Sequence, residues 1–353
     1  MISKDTLTLA WIDKVSKTNR NADKILIEKV VRALLLLEGL SNSGLQFIFK
    51  GGTALMLLLN SAKRLSIDID IIISENRNDL DEIFELFAKQ QGFNRVEMQH
   101  RTALSSIEKA HYKFFYTPVH KTHAGEDAVL LDILFEANHY KNILQHEIKS
   151  DFLITSGKLA YVNIPSLEDL LGDKLTAFAP NTTGIPYFKS ENSMSMEIIK
   201  QLYDIGNIFD AAEDLEVIKA TFNKIVKTEI VYRELKDTKP ADVLNDIYQT
   251  SLCLSLRGAL EKENYEHLQK GIHSIAGFIF SEPYHLDKAI LHSSKAAYLS
   301  RLIATDQKAF DKFKDPGQIA EAVINQPHNT KLNKLKKSSP EAFFYWRNAI
   351  LLL

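Results

Sequence analysis

Two glycines that open a helix, followed shortly by a strand bearing two carboxylates one residue apart, constrain this chain more than any other feature. Leu45 to Phe49 (LQFIF) is a short apolar run ending at Lys50, which predicts a buried strand. Gly51-Gly52-Thr53 then turns the chain, and side-chain-free glycines leave backbone amides open to a close phosphate. Ala54 to Leu59 (ALMLLL) has helix-forming composition, so the turn lies at a helix N-terminus, where amides and dipole favour an anion. In Ile67-Asp68-Ile69-Asp70-Ile71 the period is two. A strand here sends both aspartates to one face and the isoleucines to the other. Adjacent carboxylates repel unless a divalent cation lies between them, and oxygen donors of this kind suit magnesium or manganese. Each half alone also fits an ordinary core with a glycine turn and two surface aspartates. Together they predict a phosphate cradle beside a metal site.

The order Gly51-Gly52-Thr53-Ala54-Leu55, then Arg64-Leu65-Ser66-Ile67-Asp68-Ile69-Asp70, resembles the first motif of the DNA polymerase beta-like nucleotidyltransferase superfamily. In its fuller form it resembles the AbiEii/AbiGii type of nucleotidyltransferase toxin, the catalytic half of bacterial toxin–antitoxin and phage-defence pairs. The resemblance implies an α+β fold, a mixed sheet with flanking helices, followed by a largely helical C-terminal region. It also implies a third carboxylate from a later strand. Asp132, the single acid within Leu130-Leu131-Asp132-Ile133-Leu134, is the candidate. A lone carboxylate there costs several kcal/mol, about 2 or more, unless it is paired or metal-bound. Pairing with an arginine or a capping role is the alternative, and Glu126, Asp127 and Glu136 read as solvated.

Two later blocks extend the resemblance, which spans about residues 20 to 210. Asp173-Lys174-Leu175-Thr176-Ala177 is similar to the second block, in which an exposed helical lysine faces the triphosphate. Lys200-Gln201-Leu202-Tyr203-Asp204-Ile205 matches the last block in part: Asp204 fits, while Gln201 stands where an aspartate is common. The implied substrate is a nucleoside triphosphate (NTP), with its phosphates at Gly51, Gly52 and Thr53 and with Arg64, Ser66 and Lys174 beside them. The implied cofactor is Mg2+ or Mn2+ on Asp68, Asp70 and Asp132. The implied acceptor is RNA, the 3′ end of tRNA, and the implied partner is a cognate antitoxin. A protein or small-molecule acceptor such as an aminoglycoside, or nucleotide binding without catalysis, are the other readings. Retention of all three carboxylates argues against the last.

At 353 residues the chain is long for one core and predicts two or three structural units. We divide it into an N-terminal helical segment (1–42), a nucleotidyltransferase core (43–165) and a helical C-terminal region (166–353) whose first helices complete the site. The formal net charge of −2 announces no global attraction to nucleic acid, so RNA contact needs a local patch. Lys331, Lys334, Lys336 and Lys337 near the C-terminus form one, which also reads as a solvated helix face. The single cysteine, Cys253, reads as a small buried hydrophobe in a reducing cytoplasm. The N-terminus lacks the apolar core of a signal peptide, and no run approaches the roughly 20 apolar residues of a membrane helix.

Local patterns predict a helix from Asn21 to about residue 42 and another from Asp79 to Gln91 before Gly92. Strands are expected at His111 to Tyr116 and Val129 to Phe135, as a hairpin joined by KTHAGEDA, and at Leu159 to Ile164. Ser166 reads as an N-cap for a helix ending near Pro180; residues 181–195 read as a turn-rich loop, and helices follow.

Overall fold

The computed structural model describes residues 1–59, 63–75, 77–99, 108–120, 125–325 and 328–353. The chain forms two compact units: Met1–Ser166 with Gly277–Pro283, and Leu167–Ala276 with Tyr284–Leu353. Among the described residues, no helix is long and apolar enough to cross a membrane.

The first unit opens with α1 (Leu9–Thr18) and α2 (Lys24–Asn42). It continues with β1 (Ile48–Lys50), α3 (Gly51–Leu58), β2 (Ile69–Ile73), α4 (Leu80–Gln90), β3 (Arg95–Met98), β4 (Lys109–Tyr116) and β5 (Asp127–Phe135). These five strands form one mixed sheet in the order β1-β2-β5-β4-β3, in which only β2 and β5 run parallel. Alternation sorts its faces. Ile69, Ile71, Val129, Leu131, Ile133, Ala110, Tyr112 and Phe114 are buried in one core with Val30, Val31 and Leu34 of α2 and Phe84 and Phe87 of α4. Phe114 stacks on Phe87 with ring centroids 5.7 Å apart. On the opposite face of β4 and β5 lie half-buried His111, Lys113 and Asp132. A second pair of strands, β6 (Ile143–Glu147) and β7 (Tyr161–Pro165), is antiparallel.

Several boundaries differ from the sequence expectation. The helix after β1 begins at Gly51 itself, not at Ala54. β2 begins at Ile69, so Asp68 sits in the segment entering the strand, because a period of two marks a face without marking where pairing starts. β4 and β5 pair antiparallel, as a hairpin requires, while residues 121–124 of the connecting stretch lie outside the described residues. β3 and β6 were not expected; they expose most of their side chains and lack the alternation that betrays a half-buried strand.

Residues 277–283 return from the second half of the chain to the first unit. The Leu65 amide donates to the Phe278 carbonyl at 2.7 Å, and the Ser281 hydroxyl to the Lys63 carbonyl at 2.8 Å. Arg64 and Ile279 form an antiparallel bridge, and Phe280 packs edge-on against Phe152. The stretch leading to Asp68 is thus held by a strap distant in sequence.

The second unit is helical: α5 (Leu167–Ala177), α6 (Ser195–Ala211), α7 (Leu215–Tyr232), α8 (Pro240–Ser255), α9 (Lys262–Ile275), α10 (Leu286–Ala304), the one-turn α11 (Asn329–Leu332) and α12 (Leu335–Ser338), and α13 (Pro340–Leu351). Between α5 and α6 the turn-rich stretch contains a two-residue hairpin, β8 (Phe188–Lys189) and β9 (Asn192–Ser193). α10 packs against α6, α8 and α13. Its buried Lys295 pairs with Asp210 at 2.6 Å and Glu341 at 3.1 Å. Cys253 is buried, and burial pushes its thiol up to about 12, away from nucleophilic use at neutral pH.

Candidate active site

The glycine turn and the carboxylate strand are built against each other. Lys50 is the N-cap of α3 and makes no side-chain cap, so no side chain covers the first amides from that position. Gly51 has φ +83°, a left-handed conformation that favours glycine. A Cβ there would collide with the Asp70 carboxylate. A Cβ on Gly52 would lie 2.6 Å from Arg64 Nη2 and 2.7 Å from Ser66 Oγ. The Thr53 hydroxyl donates to the Asp68 carbonyl at 2.6 Å. Each residue of the turn therefore meets a different member of the Arg64–Asp70 stretch. Arg64 is only 7% exposed and donates from Nη1 to the Leu65 carbonyl at 3.1 Å. Its guanidinium places fixed positive charge beside Gly52.

Strand register then lines up four ionisable residues across the sheet. Lys50 is the Cα partner of Asp70, Asp70 of Asp132, and Asp132 of His111. Direct partners project to one face, so two neighbouring carboxylates are bracketed by a lysine and a histidine. Among the described residues, the partner of Asp132 is a histidine and not an arginine: its Oδ1 lies 2.6 Å from His111 Nδ1. Lys50 Nζ also lies 5.7 Å from the centre of the Tyr140 ring, a cation–π distance. His111 escaped the sequence reading because its role follows from register. The available signal was the alternation of Lys109, His111, Lys113 and Phe115 on one strand face.

Among the described residues, no group of three or more His, Cys, Asp or Glu side chains forms a ready cluster for a metal ion. The donor chemistry nevertheless fits a hard divalent cation. Asp70 and Asp132 are registered neighbours on the open face, both supply oxygen, and Gly51 leaves room at the Asp70 carboxylate. Asp68, in the preceding segment, is half-buried.

In the second unit, Lys174 of α5 and Asp204 of α6 are brought together. Lys174 Nζ is 2.9 Å from Asp204 Oδ2 and donates to Gln201 Oε1 at 2.9 Å. The expectation of an exposed lysine is overturned: Lys174 is 8% exposed and Asp204 is 4% exposed. Gln201, at the position where an aspartate was expected, accepts from the same ammonium. Asp169, in the first turn of α5, is fully buried and accepts from the Thr221 hydroxyl. In the C-terminal lysine patch, Lys331 donates to the Leu256 carbonyl at 2.9 Å, and Lys336 to those of Ala320 and Ala322 at 2.7 and 2.9 Å. Two of its four lysines thus tie the unit together internally.

Comparison with known proteins gives this geometry a context. The sequence model of the family described as "Nucleotidyl transferase AbiEii toxin, Type IV TA system" matches residues 35–279, reaching the strap and well beyond the last legible motif. MenT4, a nucleotidyltransferase toxin from Mycobacterium tuberculosis H37Rv, superposes with a TM-score of 0.52 at 14% identity, covering 82% of this chain and 89% of that one. JHP933 from Helicobacter pylori aligns at 15% identity and a TM-score of 0.45, over 81% of this chain and 96% of that one. A search of curated protein sequences found no significant match. The shared architecture is the nucleotidyltransferase fold.

Proposed function

Because this chain belongs to the AbiEii nucleotidyltransferase toxin family of type IV toxin–antitoxin systems, we propose that it transfers a nucleoside monophosphate from an NTP to the 3′ end of tRNA. Such transfer in the cytoplasm would halt translation, and with it growth or phage propagation. The observation that carries the reading is the packing of Gly51 on Asp70 and of Gly52 on Arg64 and Ser66. It fuses a phosphate cradle and a carboxylate site into one structure.

In this mechanism the amides of Gly51, Gly52 and Thr53 at the α3 N-terminus hold the β- and γ-phosphates. Arg64 supports them with buried positive charge, and Ser66 donates a hydrogen bond. Asp68, Asp70 and Asp132 would hold magnesium or manganese. When bound, the cation neutralises phosphate charge and lowers the pKa of the attacking hydroxyl. The acceptor oxygen attacks the α-phosphorus in line, and the bond from that phosphorus to the bridging oxygen of the β-phosphate breaks. Pyrophosphate leaves, and the hydroxyl proton passes by way of the Asp132 carboxylate to solvent. The family resemblance also implies a role for Lys174 and Asp204, in which a lysine would compensate charge that grows on the leaving pyrophosphate.

The family implies an antitoxin partner and an NTP substrate. The acceptor is tested by incubating the purified protein with each radiolabelled NTP and magnesium, first with total RNA and then with protein extract. Label confined to the tRNA band supports the proposal. Label confined to protein or to small molecules moves the enzyme to another acceptor class.

A further inference from the structure

We propose that His111 is a positioning residue for Asp132, setting the orientation of that carboxylate for the transfer step; this rests on the role given to Asp132 above. The two residues are Cα partners across the antiparallel β4/β5 pair, and their side chains meet at 2.6 Å between Nδ1 and Oδ1. The His111 side chain is 17% exposed and that of Asp132 is 37% exposed, so water competes only in part for the bond. An ionised carboxylate can only accept. Nδ1 therefore carries the hydrogen of this bond, and in the neutral ring Nε2 is the acceptor.

The physical need for such a partner lies in the aspartate side chain itself. The χ2 torsion of Asp is broad, with no sharp staggered wells, so an unrestrained carboxylate samples a range of planes. Metal coordination and in-line attack tolerate little of that range. Asp132 also has a second carboxylate, Asp70, as its registered neighbour on β2. Repulsion from that side turns the group away unless something holds it. His111 stands on the other side and commits one oxygen to a directed hydrogen bond, which leaves Oδ2 uncommitted to the ring. Partners of this kind orient ligands in metal sites, and their loss typically costs about 10–100-fold in affinity or activity.

The test uses the full-length protein with two substitutions. His111→Phe keeps a ring but has no donor, while His111→Asn keeps a donor close to the Nδ1 position. Asp132→Ala serves as the control for the site itself. Nucleotide incorporation into total RNA gives kcat and the KM for NTP; Mn2+ affinity, followed by electron paramagnetic resonance, needs no turnover. His111→Phe is expected to lower kcat about 10–100-fold with the KM for NTP within about twofold, and to weaken Mn2+ binding by a similar factor. His111→Asn is expected to recover most of both, although its melting temperature should be no higher than that of the Phe variant.

Wild-type kcat and Mn2+ affinity in His111→Phe, with Asp132→Ala inactive, would overturn the positioning role and leave the active site standing. Full activity in Asp132→Ala would instead remove the site reading. Should either His111 variant fail to fold, 15N chemical shifts of the wild-type imidazole decide: a hydrogen on Nδ1 supports the proposal, and a bare Nδ1 overturns it.

Discussion

Replacing Lys174 by alanine should destabilise the second unit strongly. Lys174 and Asp204 are 8% and 4% exposed and lie 2.9 Å apart, and the same ammonium also serves Gln201. Removing one partner of a buried pair takes away compensation from the charge left behind, and breaking such a pair typically costs about 3–5 kcal/mol. A unit of this size loses roughly 2–4 °C of melting temperature per kcal/mol, so the expected fall is about 6–20 °C. Asp204→Leu alone should do similar damage, because it strands the lysine. The double variant Lys174→Met/Asp204→Leu removes both charges and should recover most of the stability, since apolar replacements of buried pairs are often neutral. Thermal unfolding of the four proteins, followed by circular dichroism, measures these outcomes directly. If Lys174 and Asp204 also serve the reaction, the double variant will be stable and inactive. A melting temperature within about 1 °C of wild type for Lys174→Ala would refute the buried-pair argument and restore the exposed lysine expected from sequence.

Three further outcomes follow from the geometry. Gly51→Ala combines a left-handed φ of +83° with a collision against Asp70; it should cost about 1–3 kcal/mol and lower incorporation at least tenfold, as denaturant melts and kinetics will show. Lys336→Ala, which loses two carbonyl contacts, should lower stability by about 1–2 kcal/mol, whereas Lys334→Ala and Lys337→Ala should leave unfolding unchanged. Cys253 should resist iodoacetamide at neutral pH in the folded protein, as mass spectrometry can follow, because burial holds its thiol near 12. Since an ordinary thiol ionises near 9.0, the unfolded chain loses its proton first as pH rises, and this contribution to stability declines between about 9 and about 12.

What could be read from the sequence was local. The Gly51–Asp70 stretch combines a glycine turn, an apolar helix and a period-two strand within a short span, and those patterns need no partner to be visible. The start of β2 was misplaced because alternation continues through Asp68, whereas pairing with β5 begins at Ile69. β3 and β6 stayed hidden because their side chains are largely exposed, so no apolar alternation marks them. His111 and the burial of Lys174 depend on contacts 21 and 30 residues away in sequence, which single-residue patterns do not encode. The strap at 277–283 is the extreme case: Ser281 reaches Lys63 across 218 residues.

The central claim is that the Gly51–Asp70 structure supports nucleotidyl transfer through Asp70. Radiolabelled NTP, magnesium and total RNA should be incubated with the wild type and with Asp70→Ala at matched, folded concentrations. Labelled tRNA is expected with the wild type and none above background with Asp70→Ala, while both proteins melt at similar temperatures. Undiminished labelling by Asp70→Ala would contradict the claim.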